Sequence, residues 1–218
     1  AGKGESPHVL VMSATPIPRT LALIIYGDLD VSVIDELPPG RKEIKTMAFT
    51  EKKRREIYAF VAGHIQKGRQ AYFICPLVEE SEVIEAKAVT DYVDKVREEL
   101  PKSVSVAALH GKMKAAEKEE VMHRFAEGKI DVLVSTTVVE VGVDVPNANI
   151  IVIENAERFG LSQLHQLRGR VGRGKEQSFC LMIRQSTGGL AAERMKVMCE
   201  TNDGFVISEK DLQLRGPG

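Results

Sequence analysis

Short apolar runs alternate with amphipathic stretches along most of this chain, and this alternation constrains its fold more than any other feature. The runs at 71–75, 132–135 and 150–153 contain almost no polar residue. Strands of this kind are typical of a parallel sheet that is covered by helices on both faces. The stretches at 51–67 and 114–126 repeat apolar residues every three or four positions, as amphipathic helices do. The chain is therefore predicted to form an α/β fold with right-handed crossovers.

The same patterns predict an order of elements. Strands are predicted at 44–49, 71–75, 104–109, 132–135, 150–153 and 179–183, and helices at 51–67, 89–100, 114–126, 161–171 and 191–200. Upstream, apolar runs predict strands at 9–12 and 31–34 and a helix at 20–26. The segment 36–41 between these two parts holds two prolines and a glycine among charged residues. Such a segment is stiff and extended, so it predicts a domain boundary after residue 41.

Composition narrows the partners that this chain can have. Its 218 residues carry a net charge of -1, so binding to nucleic acid requires a local basic patch. Cys75, Cys180 and Cys199 are far apart and odd in number, which favours reduced thiols in a cytosolic protein. No stretch is apolar for long enough to cross a membrane, and the N-terminus lacks the apolar core of a signal peptide. The N-terminus is instead expected to be an internal point of a longer protein.

Three arginines, Arg168, Arg170 and Arg173, lie within six residues on a predicted helix and its end. Arg170 and Arg173 are three residues apart, and this spacing places them on one helix face. A guanidinium is always charged and binds phosphate oxygens with two parallel hydrogen bonds. A basic helix end is also favourable by itself, because it offsets the helix dipole. The residues alone leave both interpretations open.

The same segment contains a pattern that imitates a phosphate-binding P-loop. Residues 169–175 match its glycine and lysine spacing, but Glu176 stands where the magnesium-binding serine or threonine belongs. The glycines also follow a predicted helix, whereas a P-loop precedes one. A dinucleotide-binding enzyme is disfavoured as well, because no glycine fingerprint follows the strand at 44–49.

Four segments resemble motifs of superfamily 2 DNA helicases and translocases. Residues 166–173 are similar to motif VI, 12–16 to motif III, 135–146 to motif V, and 109–113 to the segment between motifs IV and V. They occur in the order of the family and cover nearly the whole chain. The resemblance implies a second motor lobe with a RecA-like parallel sheet. It also implies that residues 1–41 end the first lobe and its connector, that 42–187 form the second lobe, and that 188–218 form a truncated helical hairpin for translocation.

Three further segments, 26–41, 154–161 and 203–218, resemble the bacterial members of the family that act on branched DNA. The resemblance implies a cytoplasmic role in fork reversal, recombination and repair. DNA and the first helicase lobe are the implied partners, and no membrane is involved. Two alternatives stay open: the equivalent lobe of a transcription-repair coupling factor, and a nucleic-acid-binding module without catalysis.

The resemblance assigns nucleotide contacts residue by residue. Arg170 and Arg173 would contact the γ-phosphate of ATP as arginine fingers, and Gln166 would position the nucleotide or the attacking water. Gly142 and Asp144 would line the nucleotide cleft and touch the ribose or the two arginines. ATP and Mg²⁺ would be held mainly by the first lobe, because the sequence has neither a Walker A lysine nor an Asp-Glu box for magnesium. The chain alone is therefore expected to bind no cofactor tightly and to lack ATPase activity.

DNA contacts are expected where predicted strands end. The candidates are His110, Gly111 and Lys112 after the strand at 104–109, with Thr136 and Thr137 after the strand at 132–135. Open α/β sheets bind ligands at this edge, and helix N-termini suit phosphates. A motor must tolerate every sequence, so backbone contacts are expected. The alternative is a set of ordinary helix caps and loops.

Four residues are implied to couple ATP turnover to DNA movement: Ser13, Thr15, Arg194 and Arg215. The two hydroxyl side chains lie in the segment that resembles motif III. They could equally form a turn cap before Pro16. The two arginines lie in the C-terminal helical extension, for which a helix packed on the sheet with an unstructured tail is the alternative.

Overall fold

The computed structural model describes residues 10, 32, 40–76, 82–136, 144–185 and 188–215. Six strands lie in these residues: β1 (Lys45–Thr50), β2 (Gln70–Ile74), β3 (Val106–Leu109), β4 (Val132–Ser135), β5 (Ala148–Ile153) and β6 (Phe179–Arg184). Six α-helices lie in them as well: α1 (Arg54–Ile65), α2 (Glu82–Glu99), α3 (Ala115–Ala126), α4 (Leu161–Arg168), α5 (Leu190–Glu200) and α6 (Gly204–Arg215). Short 3-10 turns occur at Glu51–Lys53 and Ala156–Arg158.

The strands form one parallel sheet in the order β1-β6-β5-β2-β4-β3. Parallel neighbours need crossover connections, and helices supply most of them here. The predicted α/β class, a parallel sheet with helices on both faces, is confirmed.

Each face of the sheet has its own apolar core, because successive side chains of a strand point to opposite faces. In β2, Ala71 and Phe73 pack with α1 and α2. Tyr72 and Ile74 of the same strand pack on the opposite face, with α3, α4, α5 and α6. The central strands β2, β4 and β5 are buried along their whole lengths, which explains their unbroken apolar sequences.

The parallel arrangement gives the sheet two different edges. Every strand starts at what we call the amino edge and ends at the carboxyl edge. Asp144 shortly precedes β5, and Arg173 precedes β6, so both lie towards the amino edge. His110 directly follows β3, and Thr136 directly follows β4, so both lie at the carboxyl edge. The candidate nucleotide contacts and the candidate DNA contacts are thus separated by the length of the strands.

Most predicted elements agree with the structure to within three residues, although α2 begins at Glu82, seven residues before the predicted helix at 89–100. The difference at the end of α4 is small but affects the site. The helix was expected to reach residue 171, and it ends at Arg168. Gly169 closes it, and Gly172 has a φ of 83° that no helix contains. Arg170 and Arg173 therefore share no helix face, and the argument from their spacing was wrong. The predicted elements at 9–12, 20–26 and 31–34 fall outside the described residues, apart from single positions.

The C-terminal helices α5 and α6 pack on the face that also carries α4. Ile207 of α6 is 1% exposed in the core of that face. The Ser162 hydroxyl of α4 donates to Asp211 of α6 at 3.1 Å.

No α-helix of the described residues is long and apolar enough to span a bilayer. The cysteines are free thiols, and two of them, Cys75 and Cys180, are buried as expected.

Candidate nucleotide and DNA sites

Residues 169–174, which we call the arginine turn, connect α4 to the stretch before β6. The amide of Arg170 donates to the Leu167 carbonyl at 3.0 Å, and the amide of Val171 donates to the Arg168 carbonyl at 3.2 Å. The amide of Gly172 donates to the Ser178 hydroxyl at 3.1 Å. These bonds hold the backbone on both sides of Arg170, so the turn is ordered even though it is not helical.

Two glycines of the arginine turn are required by close contacts. A Cβ on Gly172 would stand 2.9 Å from Cγ1 of Ile44, in a backbone conformation that side chains rarely adopt. A Cβ on Gly174 would stand 2.5 Å from the carbonyl oxygen of Pro146. The turn is therefore pressed against the start of β1 on one side and the approach to β5 on the other.

Asp144 and Arg173 form an ion pair across the amino edge. Nη1 of Arg173 lies 3.3 Å from Oδ1 of Asp144, and their side chains are 32% and 54% exposed. At this exposure solvent screens the attraction, so the pair contributes at most about 1 kcal/mol to stability. A pair this weak can orient a guanidinium and still release it to a phosphate.

Tyr72 is a core residue whose pKa is affected by the charges of both arginines, and sequence reasoning missed it. Burial raises the pKa of Tyr72 to about 12, while the charges of Arg173 and Arg170 act in the opposite direction. The ring of Tyr72 packs against the ring of Phe125, with the two ring centroids 5.1 Å apart. Tyr72 lies about 100 residues earlier in a strand, so no local pattern could have identified it.

The remaining nucleotide candidates are only partly described. Gln166 is half-buried on α4, shortly before the arginine turn. Gly142 lies outside the described residues.

Arg168 differs from Arg170 and Arg173, because its side chain is 2% exposed and points into the protein. The three arginines, which look equivalent in sequence, thus divide into one interior and two outer side chains.

The DNA candidates lie on neighbouring strands. Leu109 of β3 pairs with Ser135 of β4, so His110 and Thr136, the next residues, are adjacent at the carboxyl edge. Thr136 is buried, whereas Gly111 and Lys112 are exposed. Nδ1 of His110 is buried without a hydrogen-bond partner. Thr137 lies outside the described residues.

A buried ion pair at the carboxyl edge was also missed. Glu154, directly after β5, accepts hydrogen bonds from Arg54 at 2.6 and 2.7 Å and from the Tyr92 hydroxyl at 2.9 Å. The hydrogen bond to Glu154 raises the pKa of Arg54, and burial raises the pKa of Tyr92. The network ties α1 and α2 to the end of β5, and we assign it a structural role.

The coupling candidates are the least described. Arg194 lies on α5, and its Nε is buried without a hydrogen-bond partner. Arg215 ends α6, but its side chain lies outside the described residues, as do Ser13 and Thr15. Among the described residues, no group of three His, Cys, Asp or Glu side chains could hold a metal ion.

Comparison with known proteins identifies the family. Residues 51–175 match the model of the helicase conserved C-terminal domain, which is more than half of the chain. This chain belongs to that helicase family. The match runs from the turn before α1 through the arginine turn, so it includes both edges of the sheet that carry the candidate contacts.

Curated relatives of this helicase lobe are named ATP-dependent DNA helicase RecG. The RecG of Pasteurella multocida is 56% identical over 97% of this chain, which corresponds to 31% of that protein. The RecG of Bacillus subtilis is 53% identical over 99% of the chain and 32% of that protein. The chain thus spans about a third of the length of these relatives.

Solved structures agree with this relationship. The structure of RecG bound to a three-way DNA junction matches with a TM-score of 0.80 and 49% identity, over 95% of this chain and 27% of that one. The helicase Lhr of Mycobacterium smegmatis matches with a TM-score of 0.55 at 15% identity, over 84% of this chain and 25% of that one. The second match shows a common fold alone.

Proposed function

We propose that this chain is the second motor lobe of an ATP-dependent DNA helicase or translocase that acts on branched DNA in replication-fork reversal, recombination and repair. The observation that carries the proposal is the arginine turn: Arg173 pairs with Asp144 at the amino edge, and Arg170 lies three residues before Arg173 on a backbone held by hydrogen bonds. Similarity to RecG proteins over nearly the whole chain supports the activity and the substrate class.

In this proposal Arg170 and Arg173 bind the γ-phosphate of ATP. Two guanidiniums suit phosphate oxygens, because each offers a planar pair of donors and a permanent charge. Their stabilisation of the charge that develops during phosphoryl transfer is worth about 10³–10⁵ in rate. Gln166 positions the nucleotide or the attacking water, and Asp144 orients Arg173 until the phosphate is bound. Gly142 lines the same cleft.

The described residues fit the phosphate end of a nucleotide but not its metal ion. Guanidiniums cannot bind Mg²⁺, and the described residues offer no cluster of carboxylates. We therefore assign Mg²⁺ and most of the ATP contacts to a first lobe, which would lie in the part of the relatives that this chain does not cover. ATP hydrolysis then requires both lobes, and the cytoplasm of a bacterium is the proposed setting.

The carboxyl edge is the proposed DNA contact. His110, Gly111, Lys112, Thr136 and Thr137 would contact the phosphate backbone, which carries no sequence information and suits a motor. The exposed ammonium of Lys112 is the polar group that supports this assignment. Ser13, Thr15, Arg194 and Arg215 would couple this contact to the ATP site.

A chimera tests the proposal. In it, this chain replaces the equivalent third of the Pasteurella multocida RecG. The chimera should hydrolyse ATP with stimulation by DNA and should unwind a three-strand junction, whereas the chain alone should hydrolyse ATP at the background rate. A folded chimera that binds DNA but is indifferent to ATP would identify a nucleic-acid-binding module instead. DNA-stimulated hydrolysis by the isolated chain would contradict the divided ATP site.

A further inference from the structure

Arg168 is the arginine of the 166–174 segment that the proposed function leaves without a role. It is the last residue of α4, and its side chain is 2% exposed. A buried guanidinium is unfavourable unless its donors find acceptors. The acceptors that surround Arg168 therefore indicate its purpose.

The guanidinium of Arg168 binds the C-terminal end of α5. Its Nη1 donates to the carbonyl oxygens of Met198 at 3.0 Å and Thr201 at 2.8 Å. Carbonyls at the end of a helix have no partner within the helix, and they form the negative end of its dipole. Helix α5 has no basic residue of its own in its last turn. Arg168 thus supplies, from α4, the cation that the end of α5 lacks.

The other contacts of Arg168 fix its orientation. Nη1 lies 3.4 Å from the Thr46 hydroxyl of β1, and Nη2 lies 3.1 Å from Nδ1 of His165. Burial lowers the pKa of Arg168. The nearby thiols of Cys180 and Cys199 raise this pKa, but their effect is smaller than that of burial. With no carboxylate among these partners, the end of α5 is the counter-charge of this guanidinium.

Arg168 is also the first anchor of the arginine turn. Its carbonyl accepts the amide of Val171, and the preceding carbonyl accepts the amide of Arg170. The start of the turn also borders a cavity of about 160 Å³, lined by Arg41, Lys42, His165 and Asn202 among others.

We propose that Arg168 is a positioning residue for the arginine turn. Its guanidinium joins the start of the turn to the C-terminal end of α5, so loss of that joint lets the α4 side of the turn move, and Arg170 with it. Arg168 itself touches no nucleotide. The inference rests on the proposed function for the roles of Arg170 and Arg173, but the joint can be tested on this chain alone.

Hydrogen exchange of the chain tests the joint directly. In Arg168→Met, the amides of 170–172 and 199–201 should exchange at least about tenfold faster, because local opening becomes easier. The amides of β2 and β4 should keep their rates. Arg158→Met is the matched control, since Arg158 is exposed, and it should leave both segments unchanged. Unchanged exchange at 170–172 in Arg168→Met would overturn the inference.

A second variant covers the case in which Arg168→Met does not fold. Arg168→Lys keeps the charge, but a single ammonium cannot span both α5 carbonyls and the His165 ring. The same two segments should therefore exchange faster in a fully folded chain. Protection equal to that of the parent chain would contradict the inference.

Kinetics of the chimera separate positioning from plain stability. Arg168→Met should lower kcat about 10–100-fold, the effect expected from a misplaced catalytic group. KM for ATP should change less than about threefold, because the loss concerns the transition state. Rates per folded molecule, measured well below the melting temperature, exclude a loss of stability as the cause. If Arg170→Ala lowers kcat and Arg168→Met does not, the inference fails alone; if Arg170→Ala also leaves kcat unchanged, the proposed function fails.

Discussion

The two edges of the sheet are built differently. At the amino edge, the arginine turn is held by backbone bonds on both sides of Arg170 and by glycines in contact with Ile44 and Pro146. At the carboxyl edge, His110 keeps a buried nitrogen without a partner, and Lys112 is exposed. The amino edge is thus positioned before any ligand arrives, while the carboxyl edge presents the exposed ammonium of Lys112 to a ligand. This difference suits the two proposed ligands. The γ-phosphate at the amino edge must be positioned accurately, whereas the DNA backbone at the carboxyl edge must be bound and released.

The largest expected effect is at the amino edge. Arg170→Ala in the chimera should lower kcat for ATP hydrolysis by about 10³-fold or more, because the loss of an arginine finger removes transition-state stabilisation. Steady-state ATPase assays at saturating DNA measure it. Lys175→Ala, which removes an exposed cation next to the same turn, is the control and should change kcat little. Equal rates for the parent and Arg170→Ala would remove the arginine turn from the mechanism.

The second prediction concerns how firmly the arginine turn is held. Gly172→Ala forces a side chain into a φ of 83° and against Ile44. The free energy of unfolding should fall by about 2 kcal/mol or more. Gly63→Ala on α1, where no atom lies within 4 Å of the new Cβ, should leave it equal or raise it slightly. Urea denaturation compares the two variants, and equal midpoints would show that the turn adapts freely.

The third prediction concerns the carboxyl edge. Lys112→Ala should weaken DNA binding several-fold and should reduce the slope of log K against log salt by about 1, because one phosphate contact is lost. Lys102→Ala removes an exposed lysine from the loop that leads into β3, at the opposite edge, and should leave the slope unchanged. Fluorescence anisotropy over a salt series measures both. Identical slopes for the two variants would place the DNA elsewhere.

The smallest expected effect is a pH dependence at the joint between α4 and α5. Burial and then the charge of Arg168 lower the pKa of His165 in the folded chain. The unfolded chain therefore binds more protons below about pH 6.5, so the free energy of unfolding falls as the pH drops from there towards the folded pKa. His165→Gln keeps an acceptor for Arg168 and should reduce this dependence. Urea midpoints at pH 7.5 and 5.5 give the difference, and an unchanged dependence would exclude His165 as its source.

The fold could be predicted from sequence because its signals are local. The central strands are buried on both faces, so apolar runs such as 132–135 had no other good interpretation. The class followed from the alternation, and the family followed from four motifs in order. The domain limits and the roles of the site residues stay predictions, and several of those residues lie outside the described chain.

The errors and omissions come from tertiary contacts. The end of α4 was placed too late, because the arginines of the turn continue a helical spacing while Gly172 already breaks the helix. Arg168 looks like Arg170 in sequence, and only the position of α5 turns it inward. Glu154 and Arg54 are a hundred residues apart, so their pairing left no local trace.

The central claim is that the amino edge serves the nucleotide and the carboxyl edge serves DNA. The most direct test measures kcat for ATP hydrolysis and the Kd for a three-strand junction in two chimera variants, Arg170→Ala and the pair Lys112→Ala with Thr136→Ala. The account predicts that Arg170→Ala loses kcat and keeps its Kd within about threefold. The paired variant should raise Kd and keep kcat at saturating DNA within about threefold, as expected when binding alone is lost. If kcat falls and Kd rises together in both variants, the division of labour between the two edges is contradicted.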